Sequence, residues 1–440
     1  MRRIKYVKNV VILFVRRFGL LILLGILGGG LLFTFYDKFA SVLPSVHYER
    51  IGVVGRFSAD NIPLEISKKV STGLTTLGDE NVPVPAIAES WETKEDGKIW
   101  IFKLRQGLKW QDNTQIRPRD FAYKLPDVSV SYPNNESIEF RLSNSYSPFP
   151  AVVSRPYFKK GLLGVGEWKV KNITSPGGFI KSMTLENKLG NREIYRFYET
   201  EQALTNAFKL AEIDSILEIS STQKLEKLNK IKISPIYHED RFIAIFFNTE
   251  NPSVEDKTIR QALAYAIKKN EDYPRALGPI SPLSWAYNPL VKTYDYNTAR
   301  AKEFLDKLPK EQKDNFTIRL ATIPSLLPIA EEIERDWESV GVKTEIQVAT
   351  GIPEDFQALL ATQVIPPDPD QYALWHSTQT ETNITRFRKS PRIDKLLEDG
   401  RRTLSQEERR GIYLDFQRFL LEDLPAIFLY HPVSYKVTKE

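Results

Sequence analysis

The chain is predicted to be an α/β protein of more than one lobe, preceded by a single membrane-spanning helix. From residue 47 onward, short runs with two-residue alternation interleave with runs of helical periodicity. A length of 440 residues, with 42% apolar and 11% aromatic content, suffices for two or three packed domains. The N-terminus carries a long apolar run without a charge.

That run is Phe18–Tyr36, FGLLILLGILGGGLLFTFY. As a helix it rises roughly 28 Å, close to the ~30 Å thickness of the hydrocarbon layer. Arg2, Arg3, Lys5, Lys8, Arg16 and Arg17 precede it and only Lys38 follows closely, which sets Met1 in the cytoplasm and the bulk of the chain on the extracytoplasmic side of the cell membrane. A cleaved signal peptide is the competing reading. The length of the run and the lack of a small-x-small site after Tyr36 favour an uncleaved single-pass anchor, with residues 1–46 as basic stub and membrane segment. The same cations, set against Asp37 alone, exceed the whole formal charge of +5. The outer part is therefore close to neutral and gives no electrostatic reason to expect a nucleic acid partner.

The outer elements follow in order. His47–Phe57 reads as a first strand. ESWET and KIWIFKL flank the turn Asp96-Gly97-Lys98 as a hairpin, with Trp100, Phe102 and Leu104 on one face. Short strands are expected at 137–142, 167–172, 182–186 and 193–198, then a helix over 201–210 with Ala203, Leu204, Ala207 and Phe208 on its apolar face, and a strand at 213–219. The second half carries strands at 242–248, 316–321 and 342–348 and helices at 257–268, 297–307 and 329–340, the last closed by Gly341. Helices 393–400 and 405–422 finish the chain, the latter opening on the capping box Ser405-Gln406-Glu407-Glu408.

Chemistry is conspicuous by what the residues lack. There is no cysteine, which removes disulfides, thiolate nucleophiles and zinc–thiolate sites. His47, His238, His376 and His431 are not spaced as a helical metal site requires, and no nucleophile elbow, P-loop or dinucleotide fingerprint is present. No catalytic residue, metal or cofactor is therefore expected, and the chain is read as a non-enzyme. Acid pairs such as Glu331-Glu332 and Glu407-Glu408 read as solvated helix faces.

One loop stands out. Pro366-Pro367-Asp368-Pro369-Asp370-Gln371-Tyr372 sets two carboxylates among three prolines, with Trp375 and His376 just behind. Prolines fix φ, so a rigid acidic loop beside aromatics suits a cationic group; a surface turn with solvated aspartates is the competing reading.

Several stretches, in this order, resemble the extracellular solute-binding proteins of family 5, the oligopeptide-, dipeptide- and nickel-binding receptors of ABC importers. They are Pro85–Tyr123, with the Ala88-Glu89-Ser90-Trp91 hairpin, Phe102-x-Leu104-Arg105-x-Gly107 and Arg119-Asp120; Gly161–Ile173; Ala211–Ile219; Phe242–Lys269, with Arg260-Gln261-Ala262-Leu263; Tyr294–Leu305; Ala330–Gln347; and Asp368–Gly400. The resemblance spans roughly Ile51 to the C-terminus. It implies a two-lobed periplasmic-binding-protein-like fold (type II) with an extra domain inserted in the first lobe. The first lobe would be residues 47–240, carrying a hairpin-rich insert at about 61–159; the second would be 241–420, with 421–440 returning to the first. It further implies short peptides, or another small solute, held between lobes that close by a hinge, and ABC permease subunits as partners of a monomeric receptor. The loop acids would meet the peptide ammonium, Asp368 ahead of Asp370, with Tyr372, Trp375, His376 and Asn383 lining the pocket; Arg260 is given no ligand role. The chain departs from the pattern in lacking a lipidated cysteine, in a shortened segment between Phe121 and Pro133, and in lacking a second glycine after Gly161. An anchored sensor or scaffold that uses the same cleft without transport is the alternative reading.

Overall fold

A computed structural model describes residues 16–20, 23, 25, 47–309, 316–388 and 390–440. Most of the expected membrane segment lies outside them, and no helix among the described residues is long and apolar enough to cross a membrane.

The first lobe is a seven-stranded mixed sheet. Its strands run Ile231–Tyr237, Val433–Lys439, Ser215–Ile219, Tyr48–Val54, Arg192–Tyr198, Ser182–Glu186 and Lys169–Thr174 across the sheet. Tyr48–Val54 is central and parallel to both neighbours, and buries Ile51 and Val53. Helix Glu201–Lys209 packs beside it through Leu204, Thr205, Ala207 and Phe208; Ala203, expected on that face, is exposed.

The insert is a four-stranded antiparallel sheet, Ala88–Lys94, Ile99–Leu104, Ser137–Leu142 and Val128–Ser131, beside the short pair Thr75–Leu77 and Pro83–Pro85. The expected hairpin pairs Lys94 with Ile99, and its turn places Asp96 and Gly97 at φ of 52° and 89°. Trp100, Phe102, Phe140 and Phe149 fill one core, with Trp110 and Phe121 beside them. Helix Leu64–Val70, expected in the insert, instead packs Ile66 and Val70 into the first-lobe core with Ile51 and Val53. Gln111 joins the insert to this lobe, its Nε2 donating toward the carbonyls of Val70, Gly166 and Trp168 at 3.1, 3.0 and 2.8 Å. Gly164 permits this junction, because a Cβ there would lie 2.0 Å from the Val70 carbonyl oxygen.

The second lobe is a five-stranded sheet ordered Lys343–Val348, Thr317–Thr322, Ala358–Val364, Arg241–Phe247 and Ala426–Tyr430. Phe242–Phe247 is buried throughout, as suits a strand covered on both faces. Ala426–Tyr430 belongs to this sheet, so the return to the first lobe begins at Val433 and not at 421. The chain thus crosses between lobes twice, at 237–241 and 430–433. The crossings are tied together: His238 N–H donates to the Pro432 carbonyl at 2.9 Å, His238 Nε2 lies 2.6 Å from Ser434 Oγ, and His431 Nδ1 lies 2.8 Å from the Arg241 carbonyl.

Candidate ligand cleft and the acidic loop

In both lobes the carboxyl ends of the parallel strands lie on the hinge side. In the first lobe, Ser215–Ile219 ends at Ile219, which pairs with Tyr435 just after the second crossing. In the second, Ala358–Val364 ends at Val364, paired with Arg241 at the first crossing. Ligands of open α/β sheets bind outside the carboxyl ends of their strands, and here two such rims face across one hinge. The proline-rich loop leaves directly from Val364, with Ile365 N–H donating to the Asp240 carbonyl at 2.8 Å.

The loop's acids are not free. Asp368, 8% exposed, receives both terminal nitrogens of Arg409, at 2.6 and 3.1 Å, and its Oδ1 also accepts the Asp370 N–H at 3.0 Å. Arg409 comes from the final helix, Gln406–Asp423. Its Nε donates to the Gly400 carbonyl at 2.8 Å, and its guanidinium lies 5.2 Å from the Trp285 ring. Gly400 has no room for a side chain, since a Cβ would meet Tyr413 at 2.7 Å; the two terminal helices pack closely enough there for Arg409 to reach the loop. Burial raises the Asp368 carboxyl against the pull of Arg409, while Asp368 outweighs burial in holding Arg409 protonated. The bidentate contact makes this an ion pair at neutral pH.

Asp370 is held likewise. Its Oδ2 accepts from Arg401 Nη2 and Nε at 2.8 and 3.1 Å, and its Oδ1 accepts the Tyr372 N–H at 3.1 Å. Arg401 ends helix Pro391–Arg402 and stacks between Tyr372, at 4.0 Å, and Tyr146 of the insert, at 5.2 Å. An ammonium clamp needs a carboxylate with unfilled charge, whereas here each aspartate is paired with an arginine, and together the two pairs fasten the loop to the two terminal helices.

The other expected residues divide. Trp375 is core, packed near Phe246 and Phe428, with its Nε1 donating to Gln371 Oε1 at 3.2 Å. Asn383 is buried and spans the carbonyls of Trp375, His376 and Phe387 at 3.3–3.4 Å. Both brace the segment from within. His376 is buried against Tyr372, ring centroids 4.0 Å apart, with Nδ1 2.8 Å from Thr378 Oγ1. Its Nε2 makes no hydrogen bond and lies 3.4 Å from Glu398. Tyr372 alone of the six is partly exposed. A small cavity is lined by Gln363 of strand Ala358–Val364 together with Leu374, Trp375, Thr382 and Ile384; Trp375 is the one expected site residue on its wall. Arg260 is structural as read: buried, it donates to the carbonyls of Leu424, Val254, Glu255 and Asp423. The residues missed were Arg401, Arg409 and Tyr146, which no local pattern links to the loop.

Comparison with known proteins agrees with this architecture. Residues 82–172 and 190–383 match the bacterial extracellular solute-binding proteins, family 5. The chain is 21% identical to the dipeptide-binding protein of Escherichia coli, over 81% of this chain and 82% of that one. It is 23% identical to the oligopeptide-binding protein AppA of Bacillus subtilis, over 87% and 84%. Among solved structures, NikZ of Campylobacter jejuni in complex with Ni(L-His) superposes with a TM-score of 0.72 at 22% identity, covering 89% of this chain and 94% of that one. AppA of B. subtilis in complex with a nonapeptide gives 0.66 at 20% identity, with the same coverage. The chain therefore belongs to the family 5 extracellular solute-binding proteins, a family of binding proteins of ABC transporters and not of enzymes.

Proposed function

We propose that this chain captures short peptides between its lobes and delivers them to an ABC permease, while residues 18–36 hold it to the membrane as an uncleaved anchor. The observation that carries the reading is the pair of opposed strand rims on one double-crossing hinge. A cleft of that build gives an extended peptide two walls of backbone donors and acceptors, and closure removes it from water. The nonapeptide complex of AppA supports the peptide as ligand class. Tyr372 and Gln363 belong to the second-lobe wall on this reading, and Asp368 and Asp370 act through Arg409 and Arg401 as positioning residues. The apolar run with its upstream cations supports the anchor.

The test is native mass spectrometry of residues 40–440 before and after unfolding and refolding. Co-purified masses spread over many short peptides, lost on unfolding and regained from an added peptide library, are expected. A clean unliganded mass that also ignores the library overturns the peptide reading and favours the anchored sensor or scaffold.

A further inference from the structure

The chain enters the first lobe at one end of its sheet. Tyr48 opens the central strand and pairs with Arg192, Arg192 pairs with Glu186, and Glu186 with Lys169. The entry is tied to the turn 187–191 beside it: His47 N–H donates to Asn191 Oδ1 at 3.0 Å, and Arg192 N–H to the His47 carbonyl at 2.8 Å. The turn 210–214, which follows helix Glu201–Lys209, reaches the same end. There Asp214 N–H donates to the Arg50 carbonyl at 2.7 Å, and its carboxylate pairs with Arg50 at 2.6 Å.

Each turn lifts a leucine into water. Leu189 is 74% exposed and Leu210 72%, the most exposed large apolar side chains described in this lobe. Tyr48, on the strand between the two turns, is 53% exposed. An exposed lysine precedes each leucine, Lys188 and Lys209. Glu186 is answered by Lys171 and Arg192, at 3.0 and 2.7 Å, and Glu212 and Glu440 are exposed acids at the same end.

Single exposed leucines are ordinary on a protein surface. Two on separate turns, beside the chain entry and with lysines alongside, have the make-up of an interfacial contact: leucine and tyrosine enter the head-group boundary while the ammonium groups stay at the lipid phosphates. The length of the connecting chain supplies the partner. On the anchor reading proposed above, on which this inference rests, residues 37–46 alone link the bilayer to His47. That stretch spans at most roughly 33–36 Å at full extension. Such a tether makes the encounter intramolecular, so a contact too weak to recruit a free lobe suffices.

We infer that this end of the first lobe docks on the phospholipid surface of the membrane that holds the anchor, through Leu189, Leu210 and Tyr48 with Lys188 and Lys209. The carboxyl ends of the parallel strands lie at the opposite end of the sheet, so the contact leaves the interlobe side free.

The test uses the full chain reconstituted in vesicles of equal parts phosphatidylcholine and phosphatidylglycerol. With no native cysteine, Leu189→Cys, Leu210→Cys and, as a second-lobe reference, Val348→Cys each take one environment-sensitive fluorophore. Lipids with a head-group nitroxide should quench the first two at least about twofold more than the reference. A label at Lys188→Cys should be quenched likewise, and should lose that quenching when Leu189→Asp and Leu210→Asp are added. Release of the chain by alkaline carbonate overturns the anchor reading and this inference with it. A retained chain whose labels at positions 189 and 210 are quenched no more than the reference, or whose label at 188 ignores the two aspartates, overturns the docking surface and leaves the anchor standing.

Discussion

At the scale of single residues, the Asp368–Arg409 pair decides what the proline-rich loop is for. Both side chains are nearly out of water, and removing one partner leaves the other's charge buried and unanswered. Asp368→Asn or Arg409→Gln should therefore cost about 3–5 kcal/mol in urea unfolding. Asp370→Asn, beside the partly exposed Arg401, should cost about 1–2 kcal/mol. If Asp368→Asn instead left stability unchanged and abolished peptide binding, the carboxylate would be a ligand anchor after all. The sequence could not separate these outcomes. It placed two rigid acids together, but their partners lie 31 and 41 residues further along, on helices whose arginines look like any solvated cations. Burial of Asp368 is a tertiary fact without a local signature.

At the scale of elements, legibility followed periodicity. The hairpin around Asp96-Gly97 was readable because alternation and turn chemistry agree there, and the final helix because Ser405 does cap it, accepting the Glu408 N–H at 3.4 Å. Strand Ile231–Tyr237 was missed because Pro235 sits inside it, which is tolerated only because the strand lies at the sheet edge. Ala358–Val364 was missed because ALLA does not alternate: it is buried from both sides. Glycine at the insert junction carries its own prediction. Gly164→Ala forces a methyl group against the Val70 carbonyl, so the insert must shift off the first lobe. A loss of at least about 1–3 kcal/mol is expected, with earlier proteolysis at the junction than elsewhere. Unaltered stability and cleavage would mean that the two units are not rigidly joined.

At the scale of the whole molecule, two sets of contacts among the described residues join the second lobe to the rest. One is the double crossing with His238 and His431. The other is the insert, where Ser147 N–H and Oγ both donate to the Arg401 carbonyl, at 2.9 and 3.0 Å, and Glu80 offers its carbonyl to Trp285 N–H at 3.1 Å. Arg401 joins this contact to the acidic loop through Asp370 and Tyr146, so the loop, the terminal helices and the insert form one connected polar path. Two lobes held by a narrow double hinge can rotate as rigid bodies, and a ligand bonded to both rims favours the closed arrangement.

The most direct test is the distance between the lobes with and without peptide. The chain has no cysteine, so Asn61→Cys in the segment that follows first-lobe strand Tyr48–Val54, and Val348→Cys at the end of second-lobe strand Lys343–Val348, both exposed, give a unique spin-label pair. Adding a mixed short-peptide library should shift the distribution measured by pulsed electron resonance to a shorter and narrower one, reversed when the peptide is removed. A distribution that stays the same at saturating peptide would contradict capture between the lobes.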